Sequence, residues 1–137
     1  MNLPTSQEII DDMAFFDDWE QRYQYLIDLG KHIPDMDEHL KTEDRLVRGC
    51  QSSVWLNVTK ENDTLCFQVA SDAIIVNGLL ALVLAAFNHK TAEQILAFDI
   101  ENFFNELDLQ RHITPSRGNG LKSIVAKIQA IASAEKH

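Results

Sequence analysis

Between Ile74 and Phe87 the chain is apolar on nearly every side of a helical wheel, with only Asn77 and Gly78 breaking the run. A helix with no polar face has to be enclosed, so this segment dictates what the rest of the chain must do. It falls short of the roughly 20 residues needed to cross a bilayer. The reading is a central helix of a soluble domain, from Ala73 to about His89, with Asp72 as its cap.

The flanking segments supply the cover. Val54, Leu56 and Val58 alternate with Trp55, Asn57 and Thr59, a period of two that marks a strand. Glu61-Asn62-Asp63 supplies turn residues, and Leu65, Phe67 and Val69 alternate in a second strand, giving an antiparallel hairpin. Near the start, Thr5 to Glu8 has capping-box spacing ahead of Ile9, Ile10, Met13 and Phe16. Asp17 or Asp18 caps a second helix carrying Trp19, Tyr23, Leu26 and Ile27, closed by Pro34. The charged connector from Asp35 to Gly49 has no clear period. Downstream, Thr91 to Gln94 repeats the capping-box spacing, and a short segment follows around Phe103, Phe104 and Leu107. A loop from Thr114 to Gly120 then leads into a last helix through Leu121, Ile124, Val125, Ile128 and Ile131.

Helices, then a small antiparallel sheet, then helices is an α+β order rather than a βαβ one. No repeat, linker or low-complexity tract divides the 137 residues, so the expectation is one domain over residues 1–137.

Twelve basic residues face twenty-one acidic ones, a net charge of −9. That field repels polyanions and argues against nucleic-acid binding. Two cysteines, Cys50 and Cys66, cannot build a disulfide framework, and neither they nor the scattered histidines have metal-site spacing. No basic region followed by an apolar run opens the chain, so a cytoplasmic, reducing setting without membrane attachment is expected.

Phosphate-binding glycine loops, zinc-protease motifs and serine-hydrolase elbows are all absent. Two loops remain. In the first, Cys50 stands after Gly49 and before Gln51-Ser52-Ser53, with Arg48 able to favour a thiolate. The same position also suits a small buried hydrophobe, since free cysteine is among the most buried residue types. Cys66 sits inside the second strand, opposite in face to Leu65 and Phe67, and reads as structural. The second loop, Ser116-Arg117-Gly118-Asn119-Gly120, could hold an anion through Arg117 and backbone N–H groups. Equally, it could be a plain helix entry with Asn119 as N-cap and Arg117 solvated.

Three segments resemble the SufE family of sulfur acceptors, which includes the similar CsdE branch. They are Arg48-Gly49-Cys50-Gln51-Ser52-Ser53-Val54-Trp55, the stretch from Ser71 to Leu79, and Thr114 to Leu121. Trp19-Glu20 with Tyr23, and Leu29-Gly30-Lys31 ahead of Pro34, fit as well, so the resemblance spans nearly the whole chain in order. Gln51 and Ser52 look more like the SufE branch.

The resemblance implies a fold similar to IscU-type scaffolds, with the acceptor cysteine, here Cys50, at a loop tip. It implies a protein that takes sulfane sulfur from a PLP-dependent cysteine desulfurase (SufS-like or CsdA-like), stimulates that enzyme, and relays the sulfur to an iron–sulfur scaffold complex. Arg48, Gly49, Gln51, Asp72 and Arg117 match positions around that cysteine. No cofactor is expected on the chain itself, and a homodimer is compatible. Sulfur transfer between cysteines is thiol exchange, which needs an exposed thiol and a partner and no metal or phosphate loop. Two other classes share features: a desulfurase-binding activator that uses no thiol, and a scaffold, which would need more ligands than two cysteines supply.

Overall fold

The computed structural model describes residues 3–49 and 52–136. Cys50 and Gln51, central to the expected site, lie outside the described residues.

The chain opens with helix α1 (Ser6–Ala14), whose capping box closes as the sequence predicts. Thr5 accepts from the Glu8 backbone N–H while the Glu8 carboxylate accepts from the Thr5 N–H. Helix α2 (Trp19–Gly30) starts behind Asp18, whose carboxylate accepts from the Gln21 N–H at 2.9 Å. It ends before Pro34 is reached: His32 and Ile33 donate to Leu29 and Gly30 carbonyls, tightening the chain into a turn. Pro34 therefore follows a stop made by local hydrogen bonds rather than causing it. The connector carries two short 3₁₀ turns, Glu38–Leu40 and Glu43–Arg45. It is then tied to the sheet, with the Val47 N–H donating to the Val54 carbonyl at 2.9 Å.

Strands β1 (Val54–Glu61) and β2 (Thr64–Ser71) form the expected hairpin, with Val54 opposite Ser71 and Glu61 opposite Thr64. Asn62 turns the corner with φ 57°, a left-handed angle that asparagine tolerates. Val54, Leu56, Leu65, Phe67 and Val69 are buried, so the period-two pattern selects the core face.

The central helix is α3 (Ile74–Phe87), and among its residues Leu80, Leu82, Val83 and Phe87 are completely buried. Its capping differs from expectation. Asp72 is exposed and does not cap; the N-cap position is Ala73, which has no side chain for the purpose. The turn is held instead by Asn77, which accepts from the Ser71 N–H at 3.0 Å and donates to the Ser71 carbonyl at 3.1 Å. The helix also ends short of His89, because Asn88 is extended and His89 is left-handed with φ 59°. There the His89 N–H bonds the Leu65 carbonyl and starts a short third strand that the sequence reading missed, β3 (Lys90–Thr91). The sheet order is β1-β2-β3, antiparallel throughout.

Helices α4 (Ala92–Ala97) and α5 (Ile100–Glu106) follow, then a 3₁₀ turn at Leu109–Arg111 and the long helix α6 (Pro115–Lys136). Thr91 and Gln94 form the predicted second capping box. Helix α6 starts earlier than expected. Thr114 accepts from the Arg117 N–H through its hydroxyl and from the Gly118 N–H through its carbonyl. Ser116 to Gly120 are therefore its first turns, with Pro115 at the first helical position, where its missing N–H costs nothing. Asn119 is inside the helix and is not a cap.

One hydrophobic cluster unites these elements, and among the described residues no polar or charged residue is buried. Helices α2 and α3 cross at glycines. A Cβ on Gly30 would stand 2.7 Å from the Gly78 backbone nitrogen, and one on Gly78 would overlap the Leu26 carbonyl. No helix among the described residues is long and apolar enough to cross a membrane.

Candidate functional site

The two described neighbours of the unassigned pair, Gly49 and Ser52, arrive at the same place on helix α6. Gly49 has φ 93°, which L side chains rarely adopt, and its Cα faces Ser123 so closely that an added Cβ would come within 2.6 Å of Ser123 Oγ. Ser123 is held in turn by donating to the Asn119 carbonyl at 3.1 Å. Ser52 lines a small recess of about 60 Å³ that opens beside it.

Three elements build the walls of that recess. Strand β1 contributes Val54, helix α3 contributes Val76, Leu79 and Leu80, and helix α6 contributes Leu121 and Ile124. All but Val76 are buried. The polar part of the lining consists of Ser52, Ser116 and Arg117. Arg117 Nη1 donates to the Tyr23 hydroxyl at 3.3 Å. Among the described residues no carboxylate lies within ion-pair distance of it. A full positive charge thus stands on the rim of an apolar hollow, hydrogen-bonded to a neutral hydroxyl and to no carboxylate among the described residues, an arrangement that favours an anion entering there.

The structure groups the expected site residues unevenly. Arg117 and Ser52 share the recess, and Gly49 abuts the same helix four residues further on from Asn119. Arg48 is exposed and forms no ion pair among the described residues. Asp72 is exposed at the turn into α3 and is not part of the recess lining, so among the described residues the charge on that wall is the arginine's alone. Sequence reading gave Tyr23, Ser123 and Asn77 no role at the site. Tyr23 lies 94 positions from its partner, and no local pattern encodes that meeting.

Cys66 occupies the other end of the hairpin. It pairs across from Thr59, five residues along from Val54, or about 16 Å at strand rise. Its Sγ lies 3.2 Å from His89 Nδ1 and 3.6 Å from Glu61 Oε2. Burial, and next the hydrogen bond and charge of Glu61, push its thiol pKa up. A thiol held protonated is a poor nucleophile. Among the described residues no group of three or more His, Cys, Asp or Glu is arranged to hold a metal ion.

Comparison with known proteins shows the family and the fold. Residues 7–132 match the family model described as "SufE: Fe-S metabolism associated domain". An uncharacterized SufE-like protein of Rhizobium meliloti is 43% identical over 134 residues, covering 95% of this chain and 96% of its own. A second, from Rhizobium etli, is 43% identical over 131 residues, covering 93% and 88%. A hypothetical protein from Thermus thermophilus, solved in solution, superposes with a TM-score of 0.78, 19% identity and 98% coverage of both chains. At that identity the likeness shows the fold.

Proposed function

Because the chain belongs to the SufE family, a domain associated with iron–sulfur metabolism, we propose that it is a sulfur acceptor whose working thiol is Cys50. The observation that carries the reading is the recess beside Gly49 and Ser52, apolar on three walls and cationic at Arg117. Such a hollow suits a polarizable sulfur anion better than a hydrated one: the walls exclude water and the guanidinium offsets the charge.

In the proposed reaction the Cys50 thiolate attacks the outer sulfur of a persulfide on a PLP-dependent cysteine desulfurase. The bond from that sulfur to the donor cysteine breaks, and the donor leaves as a thiolate. A new S–S bond forms on Cys50, so the sulfur changes carrier with no net oxidation. The persulfide is then relayed to an iron–sulfur assembly scaffold by the same exchange. Gly49 supports the backbone turn into the loop, Arg48 adds positive charge outside it, and Gln51 adds a polar flank. Asp72, exposed at the α3 turn, serves as a contact for the partner. The reducing cytoplasm is the proposed compartment, since it keeps such a thiol free.

The test is direct. Incubation with a cysteine desulfurase and free cysteine, followed by intact mass, should add one sulfur atom, located on Cys50 by peptide mapping. Cys50→Ser should abolish the gain with the fold intact. Sulfur found on Cys66, or stimulation of the desulfurase by Cys50→Ser equal to that of the native protein, would reject the proposal.

A further inference from the structure

Among the described residues Arg117 carries the one charge in the recess lining, yet an arginine side chain has many rotamers, and a charge that wanders gives little stabilisation to a fixed anion. Its direction is set from a distant part of the chain. Tyr23, on α2, accepts a hydrogen bond from Arg117 Nη1 at 3.3 Å in a partly buried setting. The contact does not stand alone. One turn earlier on α2, the Trp19 ring stacks on His112 with centroids 4.1 Å apart, just ahead of the entry into α6. Trp19 and Tyr23 are four residues apart and so share a face of α2. The stack therefore aligns α2 with the start of α6, and the tyrosine reaches Arg117 from the same face. The α2–α3 glycine crossing fixes that helix against the wall containing Val76, Leu79 and Leu80.

We propose that Tyr23 is a positioning residue, holding the Arg117 guanidinium at the recess so that its charge favours the thiolate of the acceptor cysteine. This deepens, and rests on, the sulfur-acceptor reading above. Tyr23 acts through Arg117.

Tyr23→Phe keeps the ring and removes the hydroxyl. The pH dependence of Cys50 alkylation is measured in the native protein, Tyr23→Phe, Arg117→Ala and the double variant, with Cys66→Ser as the common background. The rate of sulfur gain from a PLP-dependent cysteine desulfurase is measured alongside. Each single variant should move the Cys50 titration upward by roughly half a pH unit, an about threefold loss of thiolate below its pKa. The double variant should match Arg117→Ala. A Tyr23→Phe titration identical to the native one, an Arg117→Ala titration that does not move, or full additivity in the double variant would each overturn the proposal. Failure of the underlying reading looks different: the native protein would gain no sulfur at Cys50, while the coupled shifts in alkylation would persist.

Discussion

A Cβ built on Gly49 would stand 2.6 Å from Ser123 Oγ, so the loop that leads to Cys50 rests on helix α6 at a contact that only glycine permits. Two separate obstacles face any other residue there. One is the hydroxyl; the other is the backbone φ of 93°. Gly49→Ala should slow sulfur gain by up to about a hundredfold, because a misplacement of about an ångström at a reacting group can have that order of effect. Ser123→Ala removes the hydroxyl and leaves its Cβ at 3.4 Å, an ordinary contact. The double variant should recover part of the loss, while the strain of a side chain at φ 93° persists and lowers stability by about 1–2 kcal/mol in a denaturant titration. Complete recovery would show that φ is not a constraint.

Cys66 should behave as a bystander. With its thiol pushed up by burial and by Glu61, alkylation at neutral pH should label Cys50 first and Cys66 far more slowly. Cys66→Ser should gain sulfur at the native rate. Quantitative peptide mapping over a time course checks both, and equal labelling of the two thiols would contradict the assignment.

Asn77→Ala should destabilise the protein by about 1–3 kcal/mol, since it strands both the N–H and the carbonyl of Ser71 at the turn into α3. Urea unfolding gives the number. A change below about 0.5 kcal/mol would mean that water replaces the amide at no cost.

Tyr25 donates to Asp12 Oδ2 at 2.7 Å, and its phenol pKa is raised by burial first, then by the hydrogen bond and charge of Asp12 and the charge of Glu8. The folded state therefore holds this proton more tightly than the unfolded one. The resulting stability is fully present below the unfolded tyrosine pKa of about 10 and is lost as the pH rises through the folded value. Tyr25→Phe should cost about 1 kcal/mol at neutral pH and flatten the loss of stability above pH about 10. Denaturant midpoints at several alkaline pH values read the slope, and an unchanged slope would remove Tyr25 from the account.

Local rules carried far where a signal was local. Both capping boxes, the Asp18 cap, the hairpin and its buried face depend on residues within a few positions of one another, and each formed as the spacing requires. Misreadings occurred where local preference met tertiary structure. Gly118 and Gly120 read as loop by propensity, yet α6 runs through them, because Thr114 and Pro115 start the helix and Gly120 is buried beside the recess. Asp72 has capping chemistry, but Asn77 takes over the turn from within the helix. At the site, Arg117 was legible as a charged residue in a motif. Its tether to Tyr23 was not, since a hydrogen bond across 94 positions leaves no periodic trace.

Helix α6 has 22 residues and so measures about 33 Å. Its first turns wall the recess and support Gly49, its middle is locked in the core by Ile128 and Ala132, and its far end pairs Glu135 with Lys60 near the hairpin tip at 3.0 Å. One helix thus joins the site to the hairpin tip and acts as a strut. Bending the hairpin relative to the recess would require that strut to buckle or to tear out of the core. Any shift of the site relative to the hairpin tip therefore has to be carried by elements other than α6.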